Sequence, residues 1–136
     1  MNTLISLLIP SLTSRAHLLS ELKKEIAMQE SDRAGLEILT NIDAGQKPVG
    51  QKRNELLLAA KGEYVAFIDD DDLISRNYLA EIRQALTLRP DCVGFEGFIT
   101  VNGRNKQKFK ISKAFDYKEV NMIYYRPIKH LCPVRK

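Results

Sequence analysis

The alternation of apolar runs with amphipathic stretches is the feature that most constrains the fold of this chain. Residues 4–9 are almost all apolar, as expected for a strand that is covered on both faces, and residues 63–68 are rich in strand-forming side chains. Between them, the leucines and the isoleucine of residues 18–26 recur at helical spacing. This order predicts an α/β fold with a mainly parallel sheet flanked by helices.

The remaining helices and strands of this pattern have recognisable ends. Ser14 is placed to cap the first helix, and a second strand is predicted over residues 36–42. A second helix is predicted over residues 51–61, with Gly62 in the C-terminal capping position. A third helix is predicted over residues 76–88.

The carboxyl-terminal third of the chain contains a strong hairpin signal. Asn102-Gly103 lies between the β-rich segments 92–101 and 106–111, and this dipeptide favours the tight turn that joins antiparallel strands. A short strand around residues 122–125 is predicted after it, surrounded by loops. The Asp-rich run at residues 69–72 is therefore expected to precede a hairpin.

Composition and charge narrow the class of protein. With 136 residues, 44% of them hydrophobic and 28% charged, the chain is expected to form one globular unit. Residues 104–136 carry 10 Lys and Arg against 2 Asp and Glu, and such a basic segment attracts phosphorylated ligands, anionic membranes or nucleic acid. The two cysteines form no disulfide framework or metal-ligand spacing, which favours a cytoplasmic location.

Four consecutive acids, Asp69 to Asp72, follow the strand predicted at residues 63–68. If the strand continued through them, Asp69 and Asp71 would share one face. Adjacent carboxylates repel one another, and a hard divalent cation with oxygen ligands is the simplest way to neutralise them. A solvated acidic loop is the alternative, but ligands of open parallel sheets bind beyond the carboxyl ends of strands, where this run lies.

A second candidate site lies at the start of the second predicted helix. Lys52 and Arg53 occupy its first turn, where cations oppose the helix dipole. A bound phosphate would explain them, because free backbone N–H groups after Gly50 and both side chains would converge on it. Extension of both side chains into solvent is the other reading. His17 and His130 have no metal-ligand spacing, and we assign them no role.

These motifs together resemble the family-two glycosyltransferases of the glycosyltransferase-A fold. The resemblance rests on the opening strand Ile5 to Ser11, on Asp43 after the second strand, on Val49 to Asn54, and on the block from Ala60 to Asp72. The order and spacing of these motifs agree with the family pattern over residues 4–100. The resemblance implies a Rossmann-like nucleotide-binding half over residues 1–100 and the start of an acceptor-side segment over residues 101–136.

The resemblance also implies a ligand set. The donor would be a nucleotide-diphospho-sugar, taken as UDP-linked, and the acceptor a glycan, a lipid-linked molecule or a protein. Asp69 and Asp71 would match the family's Asp-x-Asp motif, whose acids face the ribose or hold the Mn²⁺ or Mg²⁺ that bridges the diphosphate. Together, the spacing arguments and the resemblance give these candidate contacts to the nucleotide-sugar: Pro10, Ser11, Asp43, Lys52, Arg53, Asn54, Asp69 and Asp70.

The resemblance leaves the catalytic base unassigned. Members of the family usually continue into a segment that supplies a carboxylate as general base, so we expect the base beyond Lys136; the late acids here are Asp116 and Glu119. Two alternatives remain at this stage: a haloacid-dehalogenase-type phosphotransferase, because residues 67–73 also resemble its strand-end motif, and a non-catalytic sugar-nucleotide-binding module. No nucleic acid partner is expected, and peripheral association with a membrane is left open.

Overall fold

A computed structural model of the protein describes residues 2–29 and 35–136. Within these residues the chain forms two four-stranded sheets and three α-helices. No helix of the described ranges is long and apolar enough to cross a bilayer. In chain order, the elements are β1 (Ile5–Leu12), α1 (Ala16–Gln29), β2 (Leu36–Asp43), α2 (Val49–Ala59), β3 (Tyr64–Phe67), α3 (Tyr78–Leu86), β4 (Glu96–Val101), β5 (Arg104–Ile111), β6 (Lys118–Val120), β7 (Ile123–Arg126) and β8 (Val134–Arg135).

The first sheet has the order β2-β1-β3-β8. Its first three strands are parallel, and β8 joins β3 in the antiparallel direction. The strand β1 is buried over Ile5 to Ser11, which explains its nearly uninterrupted apolar sequence. This mainly parallel, helix-flanked sheet confirms the predicted α/β class.

Helices cover the first sheet on both faces. Residues of α1 and α3, among them Ile26 and Ile82, join Ile5 and Leu7 in the larger apolar cluster. Residues of α2, including Leu56, pack with Leu8 in a smaller cluster. Because both faces of β1 are covered, its carboxyl end is held in a fixed position, and this end opens toward the Asp-rich run.

The second sheet has the order β4-β5-β7-β6, and its first two strands form the predicted hairpin. Asn102 and Gly103 both have positive φ, of 50° and 73°, as a two-residue turn of this sequence requires. The short strand predicted around residues 122–125 is β7. Its parallel pairing with β5 was not predicted, because the two strands are separated by a loop and β6.

Two predicted helix ends were wrong. Ser14 is not an N-cap, because a 3₁₀ turn over Thr13–Arg15 already begins before it and continues into α1. Gly62 does not cap α2, which ends at Ala59 with Ala60 in the capping position. A Cβ on Gly62 would lie 2.5 Å from the backbone nitrogen of Ser6, so the glycine is needed for close approach to β1.

One helix boundary also differs from the prediction, because α3 is shorter at both ends than residues 76–88. The division expected at residue 100 lies within β4. Val134–Arg135 returns to the first sheet, where Val134 pairs with Val65. The last residues of the chain therefore contribute an edge strand to the sheet that carries the predicted nucleotide-binding half.

Candidate functional site

The four aspartates lie just beyond the carboxyl end of β3, but they do not continue the strand as the sequence argument assumed. The strand ends at Phe67, and the run folds into a turn in which the Asp72 N–H donates to the Asp69 carbonyl at 3.0 Å. The Asp69 N–H in turn donates to the Asp72 carboxylate at 3.1 Å. The turn, rather than strand alternation, decides which carboxylates meet.

Asp69, Asp71 and Asp72 form one carboxylate cluster, each offering an oxygen within 4.8 Å of the others. Asp69 and Asp71 were expected together and are found together. Asp72 was assigned to the other face by the strand argument, and the turn brings it into the cluster. Three hard oxygen donors at this spacing are a ligand set that suits Mg²⁺ or Mn²⁺.

Burial and the neighbouring carboxylates oppose the ionisation of Asp72 in this cluster. Burial raises the pKa of Asp72 to about 6; the hydrogen bond from Asp69 lowers it, and the charges of Asp69, Asp71 and Asp70 raise it further. A divalent ion bound by these carboxylates would favour the ionised form of Asp72 and relieve the repulsion.

Asp70 points away from the cluster and into the protein. It is buried, accepts a hydrogen bond from the Ser11 hydroxyl at 2.7 Å and pairs with the Arg15 guanidinium at 2.8 Å. Arg15 also reaches Asp71 at 3.1 Å, so one cation links the buried acid to the cluster. Sequence reasoning missed Arg15, and a helix-entry cation after a strand-end Ser is the signal that could have found it.

Lys52 is almost fully buried at the carboxyl ends of β1 and β2. Its ammonium donates to the Ser11 carbonyl at 2.7 Å and to Asp43 at 2.8 Å. These bonds hold the two strand ends together. The hydrogen bond from Lys52 is the main cause that lowers the pKa of Asp43, and the Lys47 N–H, which Asp43 also accepts at 2.6 Å, adds to it.

The predicted convergence of Lys52, Arg53 and free N–H groups on one phosphate was wrong in detail. The N–H groups of Gln51 and Lys52 both donate to the Pro48 carbonyl, and the Lys52 ammonium is taken by Asp43 and Ser11. Arg53 instead points toward the Asp-rich turn, with its Nη2 atom 3.2 Å from Asp69.

The Arg53 side chain is partly exposed beside the Asp-rich turn. Its Nε atom is buried without a hydrogen-bond partner, and no other side-chain nitrogen or oxygen in residues 2–29 and 35–136 is in that state. Its Nη2 atom is 3.2 Å from His130 Nε2, and its guanidinium lies over the Phe67 ring. An unpartnered buried donor of this kind is costly unless a ligand or water completes it.

His130, to which the sequence argument gave no role, is brought into the site from the far end of the chain. Burial lowers the pKa of His130, and the charge of Arg53 lowers it further, although Asp69 opposes this. The lowered pKa favours the neutral imidazole, whose Nε2 can then accept from Arg53; the nearest oxygen of Asp69 lies 4.0 Å away. Long-range folding places this residue, and no local signal reveals it.

A cavity of about 390 Å³ joins these groups at the carboxyl ends of β1 and β3. Most of the residues expected from the sequence line it, together with Arg15 and Lys47. Asp43 and Asn54 do not: Asp43 lies behind the lining and pairs with Lys52, and Asn54 is exposed on α2. The lining residues are Pro10, Ser11, Leu12, Arg15, Lys47, Val49, Lys52, Arg53, Asp69, Asp70 and Asp71.

The fold and this cavity define the class of protein. The model of one protein family, described as "Glycosyl transferase family 2", matches residues 43–134. The match covers more than half of the chain and includes Asp43, Arg53 and the Asp-rich turn, and the chain belongs to this family. The family resemblance drawn from the sequence is thereby confirmed, and the phosphotransferase alternative is not supported.

Solved structures of S. aureus TarS share the fold. TarS 1–349 matches 98% of this chain with a TM-score of 0.64 at 20% identity. The complex with UDP matches 76% of it (TM-score 0.62, 20% identity), and the complex with UDP-GlcNAc also 76% (TM-score 0.57, 22% identity). The present chain spans 47%, 38% and 36% of those chains, respectively. No curated protein sequence matches it.

Proposed function

We propose that this chain binds a nucleotide-diphospho-sugar, with UDP as the nucleotide, in the cavity beside Asp69 to Asp71, and that it transfers the sugar with the help of Mn²⁺ or Mg²⁺. The observation that carries the proposal is that Arg53 lines the same cavity as Asp69 and Asp71, two acids of the three-carboxylate cluster. A diphosphate is bound well by a divalent metal ion together with a guanidinium, and the cavity offers carboxylates that would hold the metal ion and a guanidinium beside them.

The residues at the two ends of the cavity suggest separate roles. Pro10 and Ser11 line the cavity and would contact the nucleoside; Asp43, which is paired with the cavity residue Lys52, would have to reach it from the next strand end. Asp69, Asp71 and Asp72 would hold the metal ion, which, when bound, offsets the negative charge that develops on the departing diphosphate. Arg53, whose side chain is partly exposed beside Asp69, would pair its guanidinium with a phosphate oxygen.

The choice of UDP is supported by the TarS structures, which hold UDP and UDP-GlcNAc on the same fold. We propose a glycan, a lipid-linked molecule or a protein as the acceptor, in line with the family expectation.

No carboxylate among the described residues that line the cavity is free to act as the acceptor base. Asp70 is paired with Ser11 and Arg15, and Asp69 and Asp71 belong to the carboxylate cluster. Glu119 lies on the second sheet and accepts from Gln107, away from the cavity lining. A positioned base contributes about 10² to 10⁴ in rate. We therefore propose that residues 1–136 bind the donor more readily than they transfer its sugar.

Calorimetry with UDP tests the donor site. UDP should bind in the presence of Mn²⁺ or Mg²⁺, and excess chelator should weaken binding by tenfold or more. Asp71→Asn should reproduce the effect of the chelator, because it removes a cluster charge. Asp91→Asn is the matched control, because Asp91 is an exposed acid whose nearest partner, Arg135, is 3.8 Å away.

Three results would contradict parts of the proposal. Equal UDP affinity with and without metal would remove the metal from the donor site. Capture of a phosphomonoester with a covalent aspartyl-phosphate at Asp69 would point to phosphotransfer instead.

Release of UDP from a UDP-sugar, measured with and without acceptors, tests the transfer step. Rapid acceptor-dependent turnover by residues 1–136 would contradict the expected lack of a base.

A further inference from the structure

One face of the second sheet carries a row of cations. The side chains of β5 alternate between its two faces, so that Lys106, Lys108 and Lys110 share one of them. The register pairs Phe98 with Lys108, and pairs Tyr125 with both Lys110 and Lys118. We call this side of the sheet the basic face; it comprises Phe98 on β4, Lys106, Lys108 and Lys110 on β5, Tyr125 on β7, and Lys118 and Val120 on β6.

The basic face is open and only partly neutralised. The acid that shares it, Glu96, lies 3.2 Å from Lys108 and 3.6 Å from Lys110. No described ion pair involves Lys106 or Lys118, and both are exposed. Over half of the Phe98 surface (56%) is accessible, and so is 46% of Val120. Cations and apolar side chains are therefore presented side by side on one surface.

We propose that the basic face docks on the anionic surface of a phospholipid bilayer. Lysines attract acidic headgroups, and their long aliphatic stems allow the ammonium groups to reach them while neighbouring apolar side chains enter the interface. Phe98 and Val120 supply that apolar part. The basic character of residues 104–136, with 10 Lys and Arg against 2 Asp and Glu, strengthens the attraction over a wider area.

The same face is poorly suited to single-stranded nucleic acid. Such binding uses open aromatic rings on which bases stack. The Tyr125 ring is packed edge-on by Phe115 at 5.0 Å and is covered by the Lys118 ammonium, also at 5.0 Å. The Lys106 ammonium lies 4.4 Å above the Phe98 ring. The cations and the exposed apolar groups favour a lipid surface over a base-stacking platform.

Vesicle co-sedimentation of the complete chain tests this docking. We expect binding to phosphatidylcholine vesicles that contain phosphatidylserine and little binding to phosphatidylcholine alone, with a loss of affinity as salt rises. Lys106→Gln with Lys108→Gln should weaken the binding by about fivefold for each lysine removed. Phe98→Ser should weaken it further, with the same effect at low and high salt, because its contribution is apolar.

The control variant Lys23→Gln with Lys24→Gln removes the same charge from exposed positions of α1 and should leave vesicle binding unchanged. Circular dichroism should show that all variants are folded, and metal-dependent UDP binding should be retained, because docking and donor binding use different residues. The proposal is overturned if the chain does not bind anionic vesicles, or if the control loses as much affinity as the β5 variant. The proposal would also be overturned if the chain were a dimer that Phe98→Ser dissociates. The same holds if the chain binds an oligouridine instead of vesicles and the β5 lysines control that binding.

Discussion

The two sheets of this protein differ in how their strands are covered. In the first sheet, β1 is buried throughout its central residues, with α1 and α3 on one face and α2 on the other. In the second sheet, nearly all residues of β4 and β6 are exposed, and Ile111 is the only buried residue of its four strands. The first sheet therefore holds the core and fixes the cavity, whereas the second sheet presents a surface.

The largest expected contrast between the sheets comes from removing the same side chain in each. Ile5→Ala should lower the free energy of unfolding by about 2 to 5 kcal/mol, because Ile5 is buried in the larger apolar cluster and its loss leaves a cavity. Ile99→Ala should cost under about 1 kcal/mol, because Ile99 is 44% exposed and solvent fills the space. Urea unfolding of both variants measures the difference.

The slope of the unfolding transition serves as the control, because an unchanged slope shows that both variants unfold to comparable states. Equal losses at the two positions would mean that the second sheet belongs to the same core, and the division between a core sheet and a surface sheet would then be untenable.

A smaller contrast is expected from adding one methyl group at a glycine in each sheet region. A Cβ on Gly62 would lie 2.5 Å from the Ser6 nitrogen and 2.6 Å from the Tyr64 carbonyl oxygen, so that backbone would have to move. Gly62→Ala should therefore destabilise the protein by about 1 to 3 kcal/mol. A Cβ on Gly97 meets the end of the Phe109 ring instead, which can turn aside.

Gly97→Ala should therefore cost clearly less than Gly62→Ala, and thermal unfolding of the two variants compares them. If Gly97→Ala is the more damaging, then the Phe109 ring is held more rigidly than the exposure of the second sheet indicates.

The elements that could be predicted from sequence are those that local chemistry determines. The turn at Asn102-Gly103 requires positive φ at two residues, and the sequence supplies side chains that tolerate it. The buried strand β1 is visible as an apolar run because both of its faces are covered. The parallel pairing of β5 with β7 was not predictable, because it depends on the path of the intervening loop and β6.

The candidate site shows the same division. The position of the Asp-rich run at a strand end was predictable, because the strand is recognisable. The contribution of Asp72 depends on a turn that strand periodicity does not describe. Arg15 and His130 reach the site from distant parts of the chain. Lys52 was predicted to bind a phosphate, but its ammonium is buried between two strand ends. This burial could not be predicted from the position of Lys52 in the sequence.

The smallest expected contrast concerns one glutamate in each sheet. Burial raises the pKa of Glu37 on β2, but hydrogen bonds from Ser6 and from the Lys61 N–H, with the charges of Lys61 and Lys136, leave it below its usual value of 4.5. The pKa of Glu96 on β4 is also lowered, chiefly by its hydrogen bond with Lys108.

Because both pKa values are lower in the folded state, each carboxylate stabilises the protein above pH 4.5, and its contribution is lost as the pH falls through the folded value. Glu37→Gln should therefore destabilise the protein at pH 7, by under about 1 kcal/mol, and much less at pH 3. Most of its effect should persist in high salt, because the hydrogen bonds to Glu37 come from uncharged donors, whereas the smaller contributions of Lys61 and Lys136 are screened. Glu96→Gln should have a smaller effect that salt removes, because lysines on an open surface hold Glu96 and are screened. Urea unfolding at the two pH values and at two salt concentrations measures all of these differences. A Glu96 effect that survives high salt would show that the β4–β5 surface is less exposed to solvent than its side chains indicate.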